Sequence, residues 1–133
     1  MSVRKLHIGI RKAAERSKAL REAIRRAASG DRTQQKAGLY FETIEELRRI
    51  LTQKRLELLL AISRHRPESV HQLAGLVERD YKNVNTDIAL LQRLGLVTLE
   101  TKTGKGRAQV PTVPYDEIQV TINLRHQHPA HAA

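Results

Sequence analysis

The spacing of apolar residues changes at Gly95, and that change bounds what this chain can build. Before it, in RDYKNVNTDIALLQRLGLV (residues 79–97), Val84, Ile88, Leu91 and Gly95 recur at steps of four, three and four, which is one face of an α-helix. After it, Val97 and Leu99 alternate with Thr98 and Glu100, the period of a strand. The stretch TKTGKGR supplies a glycine-containing turn and Ala108–Val113 returns, so a β-hairpin with a basic tip is expected. Ile118, Val120, Ile122 and Leu124 alternate once more and give a third strand, with Pro111 and Pro114 limiting regular pairing.

The residues ahead of Gly95 read as helices with defined ends. Thr43 and Glu46 have capping-box spacing, in which the Thr oxygen accepts from the amide three residues on while the Glu reaches back. Leu47, Ile50, Leu51, Leu56, Leu59, Leu60 and Ile62 carry an apolar helical face up to the stop at Pro67, with Thr52 a second candidate cap. Ser69 and Gln72 repeat the capping-box spacing and open a short helix, VHQLAGLV. Asp80 is the expected cap of a helix from Tyr81 to about Leu94, and Gly95 stands where a left-handed C-terminal residue belongs. Aromatic residues are only 3% of the 133, so the core must come from Leu, Ile, Val and Ala, a composition that favours helices.

The formal net charge is +10, and it is unevenly placed. Residues 1–37 hold eleven Lys or Arg against three acidic residues, a balance of +8. Such a chain attracts polyanions, of which nucleic acid is the commonest. Within this arm, residues 10–28 lack Pro and Gly and are expected to form a helix. Its seam is Ile10, Ala13, Ser17, Leu20, Ile24 and Ala27, with seven Lys or Arg on the remaining surface. So short and Ala-rich a seam cannot hold a coiled coil alone, so it is expected to pack on the main body or on a second copy and to supply the dimer contact, with the 43–51 helix and the last strand as further candidates for that contact. Ser29, Gly30 and Asp31 end it, and DRTQQKAGLY reads as a linker.

The expected fold class is mainly α with a small β-sheet: a winged helix-turn-helix domain over residues 38–124, preceded by the basic helical arm 1–37 and followed by a disordered tail, 125–133. Helix, short helix, tight turn, second helix and basic hairpin is the order of that architecture. The second helix of the pair must bury one face while its N-terminal end enters the major groove. Ala74 is small, as close approach of the two helices needs. Tyr81, Lys82, Asn83, Asn85, Thr86 and Ala89 are left facing outward at the penetrating end, with Gln92 and Arg93 further along for backbone contact. Asn can pair with adenine in bidentate fashion, Lys can reach guanine or phosphate, and Thr can bond a base or touch a thymine methyl. The hairpin tip, with Lys102, Thr103, Lys105 and Arg107, suits a flanking minor groove or phosphate.

Other chemistries find less support. The chain has no cysteine, which excludes disulfides, Cys-based zinc sites and thiol nucleophiles. His126, His128 and His131 sit in a Pro- and Ala-containing tail with no carboxylate close in sequence, and no metal or cofactor is expected there. His65 and His71 flank Pro67 and fit helix ends. Ser69 is better explained as a cap than as a nucleophile. Asp116 and Glu117 adjoin a strand start with no cleft to work in, and the GKG at 104–106 lacks the strand-to-helix context of a phosphate loop, so no enzymatic activity is expected. No apolar run is long enough to span a membrane and no leader pattern opens the chain, so a soluble, cytoplasmic protein without a membrane partner is expected.

The run from LYFETIEELRRILTQKRLELL through SVHQLAGLVERDYKNVNTDIALLQRLGLV to VPYDEIQVTINL resembles a family of small prokaryotic winged-helix proteins related to the MarR-like regulators. DYKNV and VPYDEI are its most specific segments. The resemblance covers about residues 38–124 and implies a homodimeric, double-stranded-DNA-binding transcriptional regulator, most simply a repressor, without enzymatic activity. It also implies an alternative, an antitoxin that silences a toxin protein and controls its own operon. A third reading, a general chromatin or RNA-binding protein, rests on the charge of the arm.

Overall fold

The computed structural model describes residues 3–10, 38–104, 106–122 and 124. In chain order these form β1 (Lys5–Ile10), β2 (Gly38–Phe41), α1 (Ile44–Ile50), α2 (Gln53–His65), α3 (Val70–Leu76), α4 (Tyr81–Arg93), β3 (Thr98–Thr101), β4 (Gln109–Thr112) and β5 (Glu117–Thr121). The chain divides into two compact units, one of residues 1–4 and 48–116, the other of residues 5–47 and 117–133.

In the first unit, each helix of the sequence reading has a physical start and stop. Thr52 accepts from the Arg55 amide at 3.2 Å and opens α2, and Arg66 closes it in the left-handed conformation just before Pro67. Ser69 accepts from the Gln72 amide at 2.9 Å to open α3, and the Gln72 side chain reaches back to the amide of Glu68, one residue before the cap. Asp80 occupies the cap position of α4 but makes no side-chain cap bond, unlike the sequence expectation. Two helix ends share one geometry. At α4, Leu96 donates to Leu91 and Gly95 to Gln92; at α3, Arg79 donates to Ala74 and Glu78 to Gly75. Both are Schellman turns, whose pivot residue must be left-handed. Gly95 takes φ 80° without strain, whereas Glu78 takes φ 54° with a side chain.

The core of this unit is aliphatic throughout. Leu58, Leu59 and Ile62 of α2, Val70, Leu73 and Ala74 of α3, and Val84, Ile88 and Leu91 of α4 are buried together with Leu96 and Val97. Helix α3 packs on α2 and α4, and α2 and α3 both touch β4. Strands β3 and β4 pair antiparallel, with Leu99 opposite Pro111 and Thr98 opposite Thr112, whose hydroxyls hydrogen-bond. This is the expected hairpin.

The second unit corrects the expected fold class. A three-stranded, wholly parallel sheet runs in the order β2-β1-β5, so the described chain carries two sheets and is not mainly α with one small sheet in a winged-helix arrangement. Ile8 of β1 lies level with Leu39 of β2 and Val120 of β5. Lys5–Ile10, placed in the basic helical arm 1–37, is therefore a central strand, and the end of the supposed linker 31–40 is an edge strand. The third strand was expected from its alternation, but it pairs with β1 and not with the hairpin.

The local signal for β1 was present but weak. KLHIGI alternates, with Leu6, Ile8 and Ile10 against Lys5, His7 and Gly9, but it is short and lies in a strongly basic arm, and of its residues Leu6, Ile8 and Gly9 are buried. Glycine in a strand reads as a breaker. Here it makes room, because the Tyr40 ring lies where a Cβ on Gly9 would come within 3.1 Å of it. Of the expected 10–28 helix, Ile10 belongs to β1. Ala13, Ser17, Leu20, Ile24 and Ala27 lie outside the described residues, as do the 125–133 tail and its three histidines.

The two Schellman pivots give opposite expectations. Gly95→Ala should cost about 1 kcal/mol, the penalty of a left-handed side chain, since its Cβ would meet nothing within 4 Å. Glu78→Gly should be stabilising by up to ~1 kcal/mol for the same reason. Urea unfolding midpoints of the two variants should move in opposite directions.

Candidate nucleic-acid interface

Helix α4 has two unlike faces. Val84, Ile88 and Leu91 are 0% exposed, while Lys82, Asn83, Asn85, Thr86 and Ala89 are exposed around them, the phase its spacing predicts. Gln92 and Arg93 are exposed at its C-terminal end. Gly95, expected on the inward face, is exposed and serves only as the turn pivot.

Several of these side chains already have a local partner. The Tyr81 ring stacks on His71 of α3, with centroids 3.7 Å apart and planes 5° from parallel. That stack joins the first residue of α4 to α3 across the turn. The Thr86 hydroxyl donates to the Lys82 carbonyl at 2.9 Å, which turns the residue's methyl into its free chemistry. Neither Asn83 nor Asn85 has a side-chain hydrogen bond among the described residues. At the hairpin, Lys102, Thr103 and Arg107 are exposed and Lys105 lies outside the described residues. Lys102 stands 3.4 Å from Glu68, an exposed pair of little energetic weight. Arg107 is held left-handed at φ 38°.

A partly buried charge cluster fixes α4, and sequence reasoning missed it. Asp87, one turn beyond Asn83, takes Arg55 Nε at 3.1 Å on one carboxylate oxygen and Arg79 at 2.8 Å on the other. The three side chains are only 14–21% exposed. Arg55 also donates to the carbonyls of Arg49 and Ile50, both at 2.9 Å, so it satisfies the end of α1 while it grips the middle of α4. Arg79 sits in the turn between α3 and α4. These three, with Thr52, Gln53, Lys54 and Glu57, line an open groove at the start of α2. No spacing rule links Arg55 to Asp87, 32 residues on, so the sequence held no signal for the pair.

The described residues within 48–116 are thus a three-helix unit closed by an antiparallel hairpin, with one helix end turned outward. The chain belongs to the HVO_A0114 family, whose model matches residues 50–120, from the end of α1 through the hairpin into β5. No curated protein matches the chain. No helix among the described residues is long and apolar enough to cross a membrane.

Removing Asp87 would leave two partly buried guanidinium groups without their counter-charge. Asp87→Ala should cost on the order of 3 kcal/mol, as broken buried pairs do. Arg55→Met should cost less, because Asp87 keeps Arg79. A double-mutant cycle in urea, read on Asp87→Ala and Arg79→Met, should return a coupling well above that of a surface pair.

Proposed function

We propose that this chain is a sequence-specific double-stranded-DNA-binding regulator of transcription, working in the cytoplasm as a homodimer and most simply as a repressor that occludes a promoter. The reading is carried by the two-faced α4: a fully buried aliphatic stripe with exposed amides and a cation on the opposite side of its first two turns. A helix so held can put its N-terminal end in the major groove, which is wide enough to admit it. Asn83 and Asn85 have free amides suited to adenine, and Lys82 can reach guanine or phosphate. Thr86 offers its methyl to thymine, since its hydroxyl is engaged with the backbone. Ala89 leaves space for the groove floor. Tyr81, stacked on His71, sets the start of the helix and is better placed to steady a phosphate contact than to read a base. Arg93 and the hairpin cations Lys102, Lys105 and Arg107, with Thr103, supply backbone contact.

The pairing of copies follows from scale. One helix reads few base pairs, whereas a dimer reading two half-sites about one helical turn apart multiplies affinity and specificity. The work needs no cofactor and no enzymatic chemistry.

Selection of bound sequences from a random duplex pool tests the reading directly. The protein should enrich a two-fold-related motif. Asn83→Ala and Asn85→Ala should relax it at particular positions, each bidentate amide–base pair being worth about 1–3 kcal/mol of discrimination. Enrichment of no motif at all, by a folded protein, would remove the proposal.

The hairpin should behave differently. Lys102→Ala with Arg107→Ala should weaken binding to every duplex alike and reduce the slope of log K against log salt by ~0.9 for each phosphate no longer neutralised. Fluorescence anisotropy across a salt series reads this slope; a slope equal to the parent's would take the hairpin off the DNA.

A further inference from the structure

The outer edge of β5 is an open strand with an unusual sequence. Among the described residues β5 pairs with β1 alone, so its other side presents unpaired backbone amides and carbonyls. Such edges are normally blunted by Lys, Pro or a bulge, because they invite another strand. The stretch Ile118–Thr121 carries no charge and no proline, in a chain whose net charge is +10. On one face of the strand, continuing the row of Ile118, Val120 is 47% and Ile122 53% exposed, although Ile8, beside Val120 on β1, is buried. The opposite edge strand, β2, differs: its Phe41 is buried.

The residues Ile118, Gln119, Val120, Thr121 and Ile122 read apolar, polar, apolar, polar, apolar in either direction. Only an identical strand running antiparallel uses that symmetry. Turned about a two-fold axis perpendicular to the sheet that passes beside β5, midway between the two Val120 residues, a second copy sets Val120 against Val120, Ile118 against Ile122 and Gln119 against Thr121. This operation keeps each sheet face on its own side, so the apolar row of one copy continues into the row of the other. The acidic Glu117 of each copy falls outside the paired core and does not meet its own image. The contact is isologous, closes after two copies, and joins two three-stranded sheets into one of six strands. An uncharged edge is also where two strongly basic chains can approach without like charges face to face.

We propose that the partner of the β5 edge is a second copy of this chain, paired antiparallel about Val120. The contact rests on the homodimer part of the reading above, takes the last strand rather than the 10–28 seam among the expected sources, and exists without DNA.

The test uses the full chain in the absence of DNA. Because the protein has no cysteine, Val120→Cys introduces a single thiol. Directly opposed antiparallel residues have Cα atoms about 4.5–5.5 Å apart, inside the range of about 4.4–6.8 Å that a disulfide spans. Val120→Cys should therefore become a disulfide-linked dimer under mild oxidation, far faster than Leu60→Cys, an exposed position on α2. By sedimentation equilibrium at micromolar concentration the parent should be dimeric. Val120→Lys, which sets two like charges together on the axis, should weaken self-association by more than ~10-fold, while Leu60→Lys should not. A monomeric parent, Val120→Cys cross-linking no faster than Leu60→Cys, or a folded Val120→Lys as dimeric as the parent would each overturn the proposal. Should Val120→Lys not fold, the near-isosteric Val120→Cys still decides. Since no DNA is present, failure here leaves the reading of α4 standing, and a protein that enriches no DNA motif can still dimerise through β5.

Discussion

The Arg55 guanidinium joins three helices, and the orientation of α4 depends on it. Its backbone amide completes the Thr52 cap of α2, its terminal nitrogen closes α1, and its Nε fixes Asp87 on α4. These contacts do not supply most of the stability. Burying Val84, Ile88 and Leu91 contributes roughly 1.5–3 kcal/mol for each side chain, whereas a buried ion pair is often close to neutral against an apolar substitute. What the charged cluster adds is selection among rotations. An aliphatic stripe tolerates a small roll of the helix, but a carboxylate shared by two fixed guanidinium groups does not. The outward amides of Asn83 and Asn85 inherit that fixed phase, and recognition of base edges by hydrogen bonds requires such positioning.

The helical unit was largely legible in its sequence because its determinants are local. Thr52 and Ser69 announce their helices within three residues, Gly95 marks its turn by its own backbone preference, and the spacing of Val84, Ile88 and Leu91 states which face goes inward. Asp80 looked equally local but makes no side-chain cap. The left-handed turn at Glu78 was invisible, since nothing about a glutamate announces a position where glycine would sit more easily.

What the sequence hid was non-local. Arg55, Asp87 and Arg79 meet only after three helices have packed, and each alone resembles an ordinary surface charge. Strands β1 and β2 carry only weak local signals: KLHIGI alternates, but it is short, opens on a lysine and contains a glycine, and GLYF has only four residues. Their evidence lay in each other, with His7 level with Gly38 and Lys5 level with Glu117. Reading Ile10 as the first residue of a helical seam follows directly from overlooking β1.

The order of the parallel sheet also has a consequence during synthesis. Its middle strand is made before the helical unit and one of its two neighbours after it. The helices and hairpin can close as soon as residue 116 has emerged, because their partners are near in sequence. Strand β1 must wait, flanked on one side only, for β5 to leave the ribosome. During that interval a hydrophobic strand edge is open to neighbouring nascent chains, so the rate at which β5 is delivered becomes part of how cleanly this protein folds.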